Sequence, residues 1–144
     1  MVETDRSGPG PAPLRVAAVA GSLREGSYNR ALLRAAVELA PSGMEIEVLP
    51  IREIPLYDAD VEAAGDPPAV ADFKRGVAAA AGLLIATPEY NHGVPGVTKN
   101  VIDWASRPPR ESVLDRLPVA TIGATPGRMG TARAQTQLRQ AFGF

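Results

Sequence analysis

Three stretches of this chain concentrate the residue types that can hold a small ligand. The first, Gly21-Ser22-Leu23-Arg24-Glu25-Gly26-Ser27-Tyr28-Asn29, offers hydroxyls at Ser22 and Ser27, an amide at Asn29 and a guanidinium at Arg24. If it joins a strand to a helix start, free backbone N–H groups and the helix dipole favour an anion there. Arg24 can add two parallel charge-assisted hydrogen bonds, so a phosphate is the expected ligand. The stretch is neither G-x-G-x-x-G nor a Walker motif. The same residues also suit an N-cap box on a polar turn beside a solvated arginine. The second stretch is Thr87-Pro88-Glu89-Tyr90-Asn91-His92-Gly93-Val94-Pro95-Gly96. Its prolines fix the backbone, and its glycines let a flat ligand approach the main chain. Tyr90 adds an aromatic face, and Asn91 an amide beside it. The alternative is a rigid turn feeding a helix. The third, Gly123-Ala124-Thr125-Pro126-Gly127-Arg128-Met129-Gly130, can wrap the far edge of the same ligand.

Other chemistry has few residues to run on. There are no cysteines, which removes disulfides, thiolate metal sites and Cys nucleophiles. His92 is the one histidine, so a His-based metal site is not expected, and it has no Ser/Asp partner in evidence for acid–base work. The net charge of −1 points to neither nucleic acid nor a membrane surface. No apolar run reaches a membrane span, and the N-terminus lacks a signal-peptide pattern, so a cytoplasmic protein is expected.

The elements that must carry these loops follow from periodicity. Residues 1–13 hold Gly, Pro and charge without a period and read as a disordered tail, leaving 14–144 as one domain. Leu14–Ala20 is a short apolar run closed by Gly21, as in a buried parallel strand. A helix from Asn29 would put Leu32, Leu33, Ala36, Val37 and Ala40 on one face. Glu45–Leu49 alternates, and a long connection from Pro50 to Asp66 follows. Asp66 is then expected to cap a helix whose first turn is Pro67-Pro68 and whose stripe is Val70, Phe73 and Val77. Gly82–Thr87 and Leu117–Thr125 read as further buried strands. Between them Pro95 opens a helix with Val97, Val101, Trp104 and Ala105 on one face and an exposed Lys99–Asp103 pair. Thr131 would cap a last helix carrying Leu138 and Phe142. Strands alternating with amphipathic helices predict a doubly wound, three-layer α/β/α domain on a parallel sheet, with its ligand at the carboxyl ends of the strands.

GSLREGSYNRALL after the first strand and TPEYNHGVPGVTKNVIDWASRP after the third resemble the two signature segments of the NADPH-dependent FMN reductases. That family has a flavodoxin-like fold and includes quinone, azo-dye and chromate reductases. The resemblance implies FMN as cofactor and NADPH or NADH as co-substrate, with no side-chain catalyst, since the chemistry belongs to the flavin. It implies that Ser22, Arg24, Ser27 and Asn29, with Tyr28 among them, surround the FMN phosphate. Pro88, Glu89, Tyr90 and Asn91 would run along the isoalloxazine ring, and Thr125 would take the opposite side. It further implies a quinone or similar small acceptor, ping-pong turnover and a homodimer or homotetramer. Thr98 departs from the pattern, because the family more often has Leu before Lys-Asn; this bears on helix packing. The rival readings are a flavodoxin-type electron carrier, disfavoured by the near-neutral charge, and a flavin-binding protein without turnover.

Flavodoxin-like sheets run 2-1-3-4-5, yet only four strands are legible. The fifth strand and last helix are therefore expected to be lacking. The fourth strand would then be an open edge, covered by self-association or by a longer reading frame, and Leu138 and Phe142 would lose a neighbour.

Overall fold

The computed structural model describes residues 12–143. Of the expected tail, residues 1–11 lie outside the described residues, while Ala12 and Pro13 are exposed and irregular. The strands are β1 (Leu14–Ala20), β2 (Met44–Val48), β3 (Gly82–Ala86) and β4 (Val119–Ile122). The helices are α1 (Tyr28–Glu38), α2 (Ala59–Ala64), α3 (Pro68–Ala78), α4 (Gly96–Ala105) and α5 (Ala132–Ala141). All strand pairs are parallel, in the order β2-β1-β3-β4. This is the flavodoxin-like order as far as its fourth strand, and β4 is an edge among the described residues.

Alternate residues of the central strands point to opposite faces, as the pleat requires. Ala17, Val19, Leu83 and Ile85 join the larger core with Val70, Phe73 and Val77 of α3, Trp104 of α4 and Leu138 of α5. Ala18, Ala20 and Ala86 face Leu33 of α1, where small side chains let the helix approach closely. The register matters for function. Ala20 pairs with Ala86, and Ala86 with Ile122, so β1, β3 and β4 end on one line. The ladder runs one step further through Gly21 N–H to Ala86 O (2.8 Å) and Thr87 N–H to Ile122 O (2.9 Å). The three ligand loops therefore leave the sheet side by side.

Several expectations need correction. Asp66 does not cap α3, whose N-cap Pro67 has no side-chain cap bond. Its carboxylate instead accepts from the buried Lys74 ammonium at 2.8 and 2.9 Å, because a buried ammonium needs a counter-charge more than a proline-started helix needs a cap. Thr131 likewise makes no side-chain cap bond on α5. Val37 is exposed, so the apolar face of α1 narrows to Leu33 with half-buried Leu32 and Ala36. The fourth strand stops at Ile122, which frees residues 123–125 for the third loop. Leu138 keeps its neighbours and is wholly buried in the larger core. The connection from Pro50 contains α2, capped by Asp58 through a 2.8 Å bond from the Asp60 N–H. It is strapped to α4: Asn100 donates to Pro55 O (2.8 Å) and accepts from the Tyr57 N–H (2.8 Å). Trp104 Nε1 donates to the same Pro55 carbonyl at 2.9 Å. The expected Lys99–Asp103 pair forms on α4.

Candidate functional site

The three loops enclose a cleft of about 410 Å³ at the carboxyl ends of β1, β3 and β4. Its size falls in the usual range for small-molecule sites. A larger recess of about 560 Å³ lies under the β2 edge, walled partly by the Arg15–Glu47 and Asp72–Arg75 ion pairs, whose charges already satisfy one another. Convergence of free polar groups, not volume, singles out the loop cleft.

At one end sits the N-terminus of α1. Ser27 is the N-cap, in extended conformation, and its Oγ accepts from the N–H groups of Asn29 (3.2 Å) and Arg30 (3.4 Å). Capping occupies the acceptor side of that hydroxyl and leaves its proton to donate into the cleft. The cap reading of the first loop therefore holds, and it leaves the loop's remaining donors available to a ligand. Ser22 is 5% exposed, and its Oγ lies 3.2 Å from Tyr90 Oη across the cleft. The Arg24 guanidinium rests 5.7 Å from the Tyr28 ring centroid and has no carboxylate partner among the described residues. An unpaired guanidinium beside two hydroxyls and a helix N-terminus fits a phosphate in charge and donor set.

Gly21 explains how the first two loops come so close. A Cβ there would stand 2.3 Å from Thr98 Oγ1 and 3.3 Å from Thr87 Cα. Thr98 is wholly buried, with its Oγ1 3.5 Å from Gly21 O. The departure at 98 therefore places a hydroxyl against the turn that follows β1.

The other end is built from the second and third loops. Pro88, Glu89 and Tyr90 line one wall; Thr125, with Ala124 and Pro126, lines the other. Thr87 Oγ1 donates to Pro88 O (2.8 Å), and Thr125 Oγ1 accepts from the Gly127 N–H (3.1 Å), so each wall is braced locally. Tyr90 is 52% exposed, an aromatic edge left at the mouth.

The side chains of three of the ten expected site residues are engaged away from the cleft, although Asn29 and Glu89 still line it. Asn29 is 2% exposed; its Nδ2 donates to Ala124 O and its Oδ1 accepts from the Ala124 N–H, both at 3.0 Å. It ties the first loop to the third. The Glu89 carboxylate turns away to α5, where one oxygen accepts from the N–H groups of Arg133 (2.9 Å) and Ala134 (3.1 Å). It is the cap that Thr131 does not supply. Asn91 lies outside the cleft walls. With His92 it forms the centre of a tight turn with φ values of 50° and 64°, closed by reciprocal bonds between Tyr90 and Gly93 (3.0 and 3.1 Å). Two positive φ angles define a type I′ turn, which asparagine tolerates better than most residues. His92 is exposed at that turn, touches Arg133, and keeps its Nδ1 3.7 Å from Glu89. Ala124 escaped the sequence reading because it acts through its backbone; Pro126 showed only as one more loop proline.

Known proteins are similar to this chain in sequence and fold. The family model described as NADPH-dependent FMN reductase matches residues 14–144. The chain belongs to the NADPH-dependent FMN reductase family. An NAD(P)H-dependent FMN reductase of Pseudomonas aeruginosa is 53% identical over 131 residues, covering 91% of this chain and 70% of the relative. A 2-hydroxy-1,4-benzoquinone reductase of a Burkholderia species is 49% identical over 127 residues, covering 88% and 68%. Among solved structures, the flavoenzyme NAD(P)H:(acceptor) oxidoreductase of Paracoccus denitrificans superposes with a TM-score of 0.84 at 37% identity, covering 90% of this chain and 70% of that one. The residues present fit the cofactor of that family: hydroxyl and guanidinium donors near a helix N-terminus, two braced walls, and a cleft between them. No group of three or more His, Asp or Glu residues that could hold a metal occurs among the described residues. Among the described residues, no helix is long and apolar enough to cross a membrane.

Proposed function

We propose that this FMN reductase family member is an FMN-dependent NAD(P)H oxidoreductase that reduces quinones, flavins or similar small acceptors. The observation that carries this reading is the cleft itself, with free cationic and hydroxyl donors at one end and braced, nearly uncharged walls at the other. Ser22, Arg24 and Ser27, with Tyr28 under the guanidinium, would hold the phosphate. Pro88, Tyr90 and Thr125 would flank the ring, while Asn29 and Glu89 fix the walls between which it lies. When bound, the flavin supplies the hydride- and electron-accepting centre, so no residue is assigned a catalytic proton transfer. Tyr90, held at the mouth by Ser22, limits how far the open face of the cleft can widen.

Relatives named for quinone and FMN reduction support small acceptors for this chain as well. A cytoplasmic location and assembly as a homodimer or homotetramer, without nucleic-acid or membrane partners, belong to the same proposal. Light scattering coupled to size exclusion reads the assembly. The test of function is the visible spectrum of protein reconstituted with FMN, followed by anaerobic bleaching with NAD(P)H and recolouring with a quinone. Parallel-line kinetics are expected. Protein that binds no FMN, or binds it without being bleached, would refute the reading.

A further inference from the structure

Three threonines are buried where the ligand loops leave the sheet, each on a different element: Thr87 just past β3, Thr98 in the first turn of α4, and Thr131 at the N-cap of α5. Two of them meet a loop at a glycine. Gly21 opens the first loop, and a Cβ on it would overlap Thr98 Oγ1 while standing 3.2 Å from Pro88 Cδ and 3.3 Å from Thr87 Cα. Gly123 opens the third loop, and a Cβ on it would overlap Thr131 Oγ1 and stand 2.7 Å from Thr87 O. Because β3 lies between β1 and β4, Thr87 has the first loop on one side and the third on the other. The two outer threonines are themselves held. Thr98 donates to Gly21 O at 3.5 Å, and its helix is strapped to Pro55 through Asn100 and Trp104. Thr131 Oγ1 accepts from Gln135 Nε2 (2.9 Å), whose Oε1 accepts from Thr121 of β4 (3.2 Å). Ser22 directly follows Gly21, Ala124 directly follows Gly123, and both line the cleft, whereas Thr98 and Thr131 do not.

We propose that Thr98 is a positioning residue for the phosphate end of the cleft: its hydroxyl sets how near the first loop lies to the second, and so where Ser22 stands against Tyr90. Thr131 plays the matching part for the wall at Ala124. The inference rests on the flavin reading and adds to it two residues that the ligand does not touch. A glycine has no side chain to absorb a change in its neighbour, and a close-packed interior leaves no slack, so a displacement at Gly21 passes to the next residue. Donors serve a ligand only when held within about 0.5 Å of their place. Position 98 is also where the chain departs from the family pattern, and leucine would bring no hydroxyl to this turn. The two threonines act on opposite ends of the ligand. The phosphate end belongs to FMN and is missing in riboflavin, while both carry the same ring, which separates the two roles.

Fluorescence titration with FMN and with riboflavin tests the assignment. Thr98→Val keeps the outline of the side chain but puts a methyl where the hydroxyl was. It should weaken FMN binding about three- to tenfold and change riboflavin binding by less than about twofold. Thr98→Ser returns the hydroxyl and should restore FMN binding. Thr131→Val should weaken both ligands by similar factors. No loss of FMN binding in Thr98→Val, an equal loss of riboflavin binding, or no recovery in Thr98→Ser would each overturn the proposal. Should Thr98→Val not fold, Thr98→Ala also lacks the hydroxyl and must show the same FMN-specific loss, or the proposal falls. A wild type that binds neither flavin would refute the flavin reading instead, and backbone amide shifts of the ligand-free protein would then decide the positions. Thr98→Val should move the Ser22 amide more than that of Ala124, and Thr131→Val should do the opposite. The same shifts in both variants, or none, would overturn the proposal.

Discussion

Glu89 is expected to be the residue whose loss most loosens the cleft without touching its floor. Its carboxylate is 10% exposed and accepts two backbone N–H groups of α5, which has no cap of its own. Losing an N-cap costs about 1 kcal/mol, and a partly buried charge at a helix terminus adds up to about 2. Glu89→Ala should therefore destabilise the fold by about 2–3 kcal/mol. At about 3–5 °C per kcal/mol for a domain of this size, its melting temperature should fall by about 6–15 °C. Glu89→Gln keeps an acceptor oxygen but loses the charge, and should cost about 1 kcal/mol. A thermal melt gives the totals, and hydrogen exchange gives the place. The Arg133 and Ala134 amides should lose protection before those of β1. A melting point within about a degree of wild type, with those two amides still protected, would show that the contact contributes nothing and that α5 is held by Leu138 alone.

Four further outcomes follow. Arg24→Ala should weaken FMN binding by about 1.5–3 kcal/mol while barely changing the weaker binding of riboflavin, since the guanidinium is assigned to the phosphate; fluorescence titration measures both. Gly21→Ala should destabilise by about 1–3 kcal/mol, because its Cβ would stand 2.3 Å from Thr98 Oγ1, and Thr98→Ala should recover part of that loss in chemical melts. His92→Ala or His92→Gln should leave steady-state turnover within a few-fold; a loss of about a hundredfold would reveal an acid–base role. Tyr57 donates to Glu62 (2.7 Å), and this bond to the carboxylate raises the phenol pKa above its ordinary value of 10.0, with desolvation adding to it. The stabilisation from this bond is complete below about pH 10 and lost as pH rises through the folded-state pKa. Ultraviolet titration of the tyrosines should show one late transition that moves down in Glu62→Gln.

The four strands, four of the five helices and the three loops were legible because each rests on local pattern, whereas the strand order came with the family resemblance. The β1 run closed by Gly21, the Pro95 helix start and the Val101–Trp104–Ala105 face all held. What sequence could not show was the direction in which polar side chains turn. Asn29, Glu89 and Asp66 all stand where a local cap or ligand contact is plausible, and each is captured by a partner the chain brings in from elsewhere. Single-residue chemistry names what a group can do, while packing decides which neighbour it meets. α2 was missed because it is short and buries nothing, so it leaves no periodic trace.

The tie between Asn29 and Ala124 also bears on how the protein is made. The two residues are 95 positions apart, and a chain leaves the ribosome N-terminus first. β2, β1 and β3 can pair once Ala86 has emerged, but the first loop gains its brace only when Ala124 follows. At about 5–20 residues per second that is a delay of about 2–8 s. During this interval the nascent chain holds the first loop capped by Ser27 but not yet tied to the third. A ligand that needs both the first and the third loop must therefore wait for the segment that follows β4.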